Sequence, residues 1–247
     1  MLLVDIIRGS KNIVFFGGAG VSTESNIPDF RSDNGLYMAQ NTYGYLPEEL
    51  LSHTFFVDKP ELFFQYYKKN LIFVDAKPNA AHVALAKLEH SGFLSVVVTQ
   101  NIDGLHQAAG SVNVLELHGS NHRQYCMVCK AKYDLHYILN PENCDGFVPK
   151  CKKCGGGIVR PDVVLYEEPL DENVMRAATA AIAAADCLII GGTSLVVYPA
   201  VGLLQYFNGN NLVLINKSET PYDSHADVVI HESIGTVLSN VIKQLNL

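Results

Sequence analysis

Two rhythms of apolar and polar positions divide this chain. Short, almost continuous apolar runs occur at 12–16, 95–99, 112–117, 187–190, 212–215 and 227–230, each bounded by glycine or polar residues. Runs of this length, rich in Val, Ile and Leu, predict strands buried on both faces, as in a parallel sheet. Between them the apolar positions take helical spacing. Residues 2–9 predict a short amphipathic helix. Asn79 to His90 predicts a second, capped by Asn79, stopped near Gly92, with Val83, Ala84 and Leu88 inward. Asp171 to Ala185 predicts an alanine-rich helix, and a last helix is expected from about Ile234. About six parallel strands with helical crossovers make an α/β chain of the doubly wound, Rossmann-like kind.

Two stretches depart from this alternation. From Leu36 to about Ala76 the chain is rich in Tyr and Phe, with Leu62, Phe63, Tyr66, Tyr67 and Leu71 at helical spacing. Such a stripe suits a core, a lid or the wall of an apolar channel. The second departure, about Asn121 to Arg160, holds Cys126-x-x-Cys129, 21 further residues, and Cys151-x-x-Cys154-Gly155-Gly156. Two such knuckles supply four thiolates for tetrahedral zinc, and the glycines permit the tight turns around the sulfurs. A closed four-ligand site makes the zinc structural. A redox pair is the lesser reading, because neither knuckle opens a helix after a strand. The metal is expected to fold a small ribbon-like insert too short to bury its own core.

Among 247 residues, 48% are hydrophobic and 17% charged, with a net charge of −7, so a sizeable core is expected and no extended nucleic-acid surface. No apolar run approaches the roughly 18 residues of a membrane span. The N-terminus carries Asp5 where a signal peptide would carry lysines. Clustered cysteines without a signal argue for reduced thiols and a cytoplasmic protein. Of the two remaining cysteines, Cys144 reads as a loop thiol and Cys187 as a small buried apolar residue.

Candidate chemistry gathers where the apolar runs end, the carboxyl edge at which open parallel sheets bind ligands. The first run leads into Gly17 to Arg31, reading GGAGVSTESNIPDFR. Glycines here let a backbone approach a phosphate, and a helix starting there would aim free N–H groups at it. Gly18-Ala19-Gly20 fits the first half of a dinucleotide fingerprint, but Thr23 stands at the third glycine position. Pro28 then cuts the helix short before Asp29, Phe30 and Arg31, a carboxylate, a flat ring and a fixed cation suited to gripping a charged, partly aromatic cofactor. The second run ends in Gln100-Asn101-Ile102-Asp103 and the third in His118-Gly119, which points to one shared cleft. An ordinary nicotinamide dehydrogenase would carry an acid about 20 residues after its fingerprint to hold a ribose. Here an aromatic helical segment intervenes, which counts against plain hydride transfer.

GAGVSTESNIPDFR, QNID, HG, two CxxC knuckles, GTS and a strand ending in Asn, in this order over nearly the whole chain, resemble the sirtuin family of NAD-dependent protein lysine deacylases. One departure is Asn26, where the family usually has glycine; asparagine tolerates a left-handed backbone best among the other residues, so a tuned loop is expected. The resemblance implies one catalytic domain over 1–247. Within it, 1–35, 77–120 and 161–247 would form the NAD-binding part, and 36–76 with 121–160 a small domain. It further implies that Ala19, Gly20 and Thr23 line the phosphate turn and that Phe30 and Arg31 fold over the nicotinamide ribose. Gln100, Ile102 and Asp103 would border the nicotinamide pocket, with Asn101 beside the reacting ribose and His118 as general base. Thr193, Ser194, Asn216 and the backbone around Ile234 would hold the adenosine half.

In the family mechanism the acyl oxygen of acyl-lysine attacks the anomeric carbon, and a neutral histidine then removes a ribose hydroxyl proton. The products are free lysine, nicotinamide and an acylated ADP-ribose. Val163-Val164-Leu165-Tyr166 resembles the segment that pairs as a strand with the substrate backbone, a mode that gives affinity with little sequence preference. The implied partners are acyl-lysine proteins or peptides, with no nucleic acid and no membrane. The desuccinylating branch uses a Tyr-x-x-Arg pair, to which Gln65-Tyr66-Tyr67-Lys68 corresponds here. Without the arginine fork, acetyl or longer neutral acyl groups are expected. Two other readings stand beside this one: an ADP-ribosyltransferase using the same cleft, and a catalytically idle NAD- or peptide-binding module.

Overall fold

The structure, a computed structural model, describes residues 2–29 and 40–247. Phe30 and Arg31 lie outside the described residues. Six strands form one all-parallel sheet, each beginning within about two residues of its predicted start: β1 (Ile13–Gly17), β2 (Leu94–Thr99), β3 (Val114–Glu116), and, after an antiparallel excursion, β9 (Cys187–Gly191), β10 (Asn211–Ile215) and β11 (Val228–Ile230). Their order is β11-β10-β9-β1-β2-β3. The chain builds outward from β1 to β3 and returns to the other side of β1, so strand order reverses between β1 and β9. That reversal opens a crevice at their carboxyl ends.

Both faces of the sheet are covered, which is why its strands read as unbroken apolar runs. One face buries Ile13, Phe15, Val97 and Ile189 under the helices Leu3–Gly9, Ala80–His90 and Ile234–Leu245. The opposite face buries Val14, Phe16, Val98 and Leu188 with Ala178 and Ile182 of the helix Glu172–Ala184. Cys187 is fully buried on the sheet as expected, and burial pushes its thiol up to about 11. In the helix Ala80–His90 the buried stripe runs through Ala81, Ala84, Leu85 and Leu88. Val83 faces outward at 42% exposure, contrary to expectation, because it sits about 100° round the helix from Ala84 and off the 81-84-85-88 face. Likewise β3 starts only at Val114: the N–H groups of Val112 and Asn113 turn to the carboxylate of Glu89 instead of the ladder.

The excursion between β3 and β9 holds β4 (Gly119–Cys126), β5 (Lys132–Asp134), the short pair β6 (Cys144–Asp145) and β7 (Val148–Pro149), and β8 (Val159–Val163). Strands β5, β4 and β8 form an antiparallel sheet. Its apolar side meets the aromatic helices Pro47–Leu50, His53–Asp58 and Pro60–Asn70 in one cluster, with Phe56, Phe63 and Phe64 packed edge to face and Tyr67 stacked on Phe63. The aromatic stripe is therefore chiefly core. Among the described residues, no helix is long and apolar enough to cross a membrane.

Candidate active site

Gly17 and Gly191 end adjacent strands in register, and the two glycine turns that follow lie against each other. The N–H of Gly20 donates to the carbonyl of Gly192 at 2.8 Å. A Cβ on Gly20 would stand 2.8 Å from the Gly192 backbone, and one on Gly192, at φ +59°, 2.4 Å from the nitrogen of Val21. Only glycine satisfies both. The expected helix after Gly20 is instead two single 3₁₀ turns, Ala19–Val21 and Thr23–Ser25, the second closed by Asn26 at φ +61°. The left-handed backbone anticipated for Asn26 explains why the turn stops there. Asn79, the cap of the next helix, donates to the Val21 carbonyl and to Ser25 Oγ, so the turn is tied to a rigid element.

Beyond these turns lies a cleft of about 610 Å³. Of the expected cofactor residues, Ala19, Gly20, Gln100, Ile102, Asp103, Thr193 and Ser194 line it, together with Asn101 and His118. Three do not. Thr23 turns its hydroxyl back to the Gly20 carbonyl at 3.0 Å. Asn216, at the end of β10, donates to the Ser218 carbonyl at 2.7 Å. Ile234 is buried behind the crevice, its side chain against Gly191.

Asn101, Ser22 and Asp103 form a chain of hydrogen bonds. Asn101 Nδ2 donates to Ser22 Oγ at 3.0 Å, and Ser22 Oγ donates to Asp103 Oδ2 at 2.7 Å. The other carboxylate oxygen of Asp103 accepts the Leu105 N–H at 2.9 Å. Ser22 is 1% exposed, so the hydroxyl is fixed between the two. Ser22 is not singled out by the sequence, since its bonds to residues 79 and 81 positions away leave no local signature. Gln100 Nε2 reaches Thr193 Oγ1 at 3.3 Å, joining the ends of β2 and β9.

His118 stands where β3 gives way to β4. Its Nδ1 donates to the carbonyl of Gln100 at 2.9 Å, leaving the lone pair on Nε2. Burial lowers its pKa below the usual 6.5, and the bond to Gln100 opposes that shift only in part. The imidazole is thus a neutral proton acceptor at neutral pH. The next residue, Gly119 at φ +78°, has no room for a Cβ, which would meet the Asp162 carbonyl.

Val163, Val164, Leu165 and Tyr166 line the same cleft. Strand β8 itself ends at Val163. The Val164 N–H donates to the His118 carbonyl at 3.0 Å, the Leu165 N–H to Glu168 at 2.9 Å and the Tyr166 N–H to the Leu51 carbonyl at 3.0 Å, so three successive donors go to three partners and no single ladder continues. Leu71, Ile72, Phe73 and Val74 add an apolar wall. Lys68 is not part of that wall: it donates to the Phe147 carbonyl at 2.8 Å and lies 3.3 Å from Cys144.

Cys126, Cys129, Cys151 and Cys154 gather their sulfurs within 4.8 Å of one another. Two of the separations, Cys126 to Cys154 and Cys129 to Cys151, are 3.6 and 3.7 Å. A tetrahedron of sulfurs about 2.3 Å from a central zinc has edges of about 3.8 Å, so the set fits one ion. Gly155 and Gly156, both at positive φ, donate to the Cys151 carbonyl, and a Cβ on Gly157 would lie 2.7 Å from the Cys126 sulfur. The hydroxyl of Tyr133 reaches the Cys151 sulfur at 3.0 Å, an outer-shell bond of the kind that orients a ligand. No cysteine lines the cleft, which agrees with a structural ion.

The model of the Sir2 family matches residues 18–199. An NAD-dependent protein deacetylase of Clostridium acetobutylicum is 61% identical over 249 residues, covering 98% of this chain and all of that protein. A solved Sir2 with a p53 peptide and NAD+ has a TM-score of 0.88 at 36% identity, over 98% of this chain and 97% of that one. Another, holding 2'-O-acetyl-ADP-ribose and deacetylated p53 peptide, has a TM-score of 0.84 at 36% identity over the same shares. A crevice built from interlocked glycine turns, a backbone-anchored histidine and a four-thiolate clip thus comes with kinship along the whole chain, and this protein belongs to the Sir2 family.

Proposed function

We propose that this protein is an NAD-dependent protein lysine deacetylase that releases nicotinamide and O-acyl-ADP-ribose. The observation that carries the reading is His118, a neutral imidazole with its proton fixed on Nδ1 and its acceptor nitrogen in a cleft whose floor is two glycine turns. Gly20 and Gly192, with no room for a Cβ between their turns, bring bare backbone to the cleft, which suits the pyrophosphate of a dinucleotide. When bound, NAD supplies the ribose that takes the acyl group in exchange for nicotinamide. The remaining chemistry belongs to the chain. His118 would accept the ribose hydroxyl proton at Nε2. Asn101, held through Ser22 by Asp103, would present a fixed dipole beside the reacting ribose, with Gln100, Ile102 and Asp103 around nicotinamide. Thr193 and Ser194 would hold the adenosine half with Asn216 and the backbone around Ile234. Ala19, Gly20 and Thr23 would form the phosphate turn.

Val163–Tyr166 would seat the acyl peptide, with Leu71 to Val74 keeping water from the acyl chain. The zinc clip would hold residues 121–160 in the shape that closes this side of the cleft. We further propose that 36–76 and 121–160 act as one small domain beside the NAD-binding part, a reading supported by their single shared apolar cluster. A cytoplasmic location is supported by four thiols that bind zinc only when reduced. Purified protein given an acetyl-lysine peptide tests the reading: deacetylation that depends on added NAD supports it, and NAD-independent deacetylation or none refutes it.

A further inference from the structure

One carboxylate gathers the segment on which the peptide would lie. Glu168 Oε1 accepts from Arg160 Nη1 at 2.6 Å and from His53 Nδ1 at 2.8 Å. Its Oε2 accepts from Arg160 Nη2 at 3.0 Å and from the Leu165 N–H at 2.9 Å. Arg160 Nη2 donates in addition to the Val163 carbonyl at 2.8 Å. Arginine and glutamate together therefore fix the backbone at both ends of Val163–Leu165, while the Val164 N–H between them hangs on the carbonyl of His118. Arg160 is 5% exposed, and its guanidinium lies over the rings of Phe56 and Tyr125. An ion pair this buried gains little net stability, since desolvation offsets much of its attraction. What it supplies is geometry: a planar fork sets two-point register where an apolar pair would set none.

The preceding residue makes the arrangement possible. Glu167 adopts φ +74°, a left-handed conformation that a glutamate takes only when held. Its carboxylate accepts the Thr54 N–H at 2.9 Å and the Thr54 hydroxyl at 2.7 Å, in the first turn of the helix His53–Asp58. The turn at Glu167 sends one carboxylate outward to that helix and the next inward to Arg160.

We propose that Glu168, acting through Arg160, is a positioning residue for acyl-peptide binding: it holds the Val163–Leu165 backbone in place beside His118 before the peptide arrives. The inference rests on the functional reading above, which places the peptide on this segment. Glu168→Gln keeps the shape but offers the fork an NH₂ group where it needs an acceptor. Binding of a fluorescent acetyl-lysine peptide should weaken about tenfold, with the peptide KM rising alike. The NAD KM and kcat should stay within about twofold. His53→Ala removes one of the four contacts from an exposed position and should weaken peptide binding by about two- to threefold without changing NAD affinity, which keeps the inference testable if the first variant does not fold. Unchanged peptide affinity in the folded variant, or equal losses of NAD and peptide affinity, would overturn it. Wild-type protein that binds NAD but no acetylated peptide would instead overturn the functional reading, a result read before either variant is made.

Discussion

His118 Nδ1 lies 2.9 Å from the carbonyl oxygen of Gln100, and because a carbonyl can only accept, the ring proton is fixed on Nδ1. A base so prepared acts in the transition state, whereas a dinucleotide is held by many groups. His118→Ala should therefore leave the NAD dissociation constant nearly unchanged and reduce deacetylation by roughly a hundredfold or more. Calorimetry and peptide turnover on the same sample separate the two; near-normal turnover would remove His118 from the mechanism. Since burial holds this imidazole below its usual pKa, the acid limb of kcat/KM should fall below pH 6.5. An acid limb above that value would contradict the assignment.

The cysteine cluster predicts one zinc per chain, bound by Cys126, Cys129, Cys151 and Cys154. Cys151→Ala should lose the metal and lower the melting temperature, and chelation should reduce activity only as the insert unfolds. Elemental analysis without zinc, or full stability of the variant, would show otherwise.

His82 and His106 predict how stability depends on pH. Their rings stand 4.8 Å apart and both are essentially unexposed. Burial lowers His82 to about 4 against the opposing pull of Asp103 and Glu24. Burial, then the neighbouring His82, lowers His106 to about 3. The unfolded chain, with histidine near 6.5, binds more protons than the folded one between these values, so stability is complete above about pH 6.5 and falls as pH drops through 4 toward 3. His82 alone corresponds to a loss on the order of 3 kcal/mol. Denaturant midpoints at pH 7.5 and 4.5 measure it, and His106→Gln should flatten the difference. Equal midpoints would refute the burial argument.

Glu168 titrates with the opposite chemistry but the same direction. Burial alone would raise its carboxyl, yet the Arg160 fork, the Leu165 N–H and His53 bring it down to about 2. Its contribution is present above about pH 4.5 and is lost as pH falls toward 2, overlapping the lower end of the histidine window.

Acyl preference follows from what the helix Pro60–Asn70 keeps out of the cleft, since none of its residues lines it. Lys68, which the family comparison set opposite an arginine, is held on the Phe147 carbonyl, and Tyr67 bonds the side chain of Asn121 from a fully buried position. With no guanidinium fork among the described residues that line the cleft, kcat/KM for a succinyl-lysine peptide should be about ten- to a hundredfold below that for the acetyl peptide. Equal use of both would show that another cation serves the channel.

Features set by neighbouring residues were legible in the sequence. The six apolar runs, the cap at Asn79, the left-handed Asn26 and the cysteine knuckles each depend on a few adjacent positions. Features set by distant partners were not. Ser22 has its role from Asn101 and Asp103, and Glu168 from an arginine on β8 and a histidine on a separate helix. The turn after Gly20 looked helical because its glycines fit a fingerprint, but contact with Gly192 and the halt at Asn26 leave room for single turns only. Nor can the sequence show that Glu168 captures the Leu165 N–H, which leaves the peptide segment outside β8.

The most direct measurement is a product balance on purified protein given an acetyl-lysine peptide and adenine-labelled NAD. Deacetylation by this cleft predicts free lysine and nicotinamide in equal amounts, with the label in a small acetylated ADP-ribose. Label bound covalently to protein, with the peptide still acetylated, would contradict it and assign the cleft to ADP-ribosyl transfer instead.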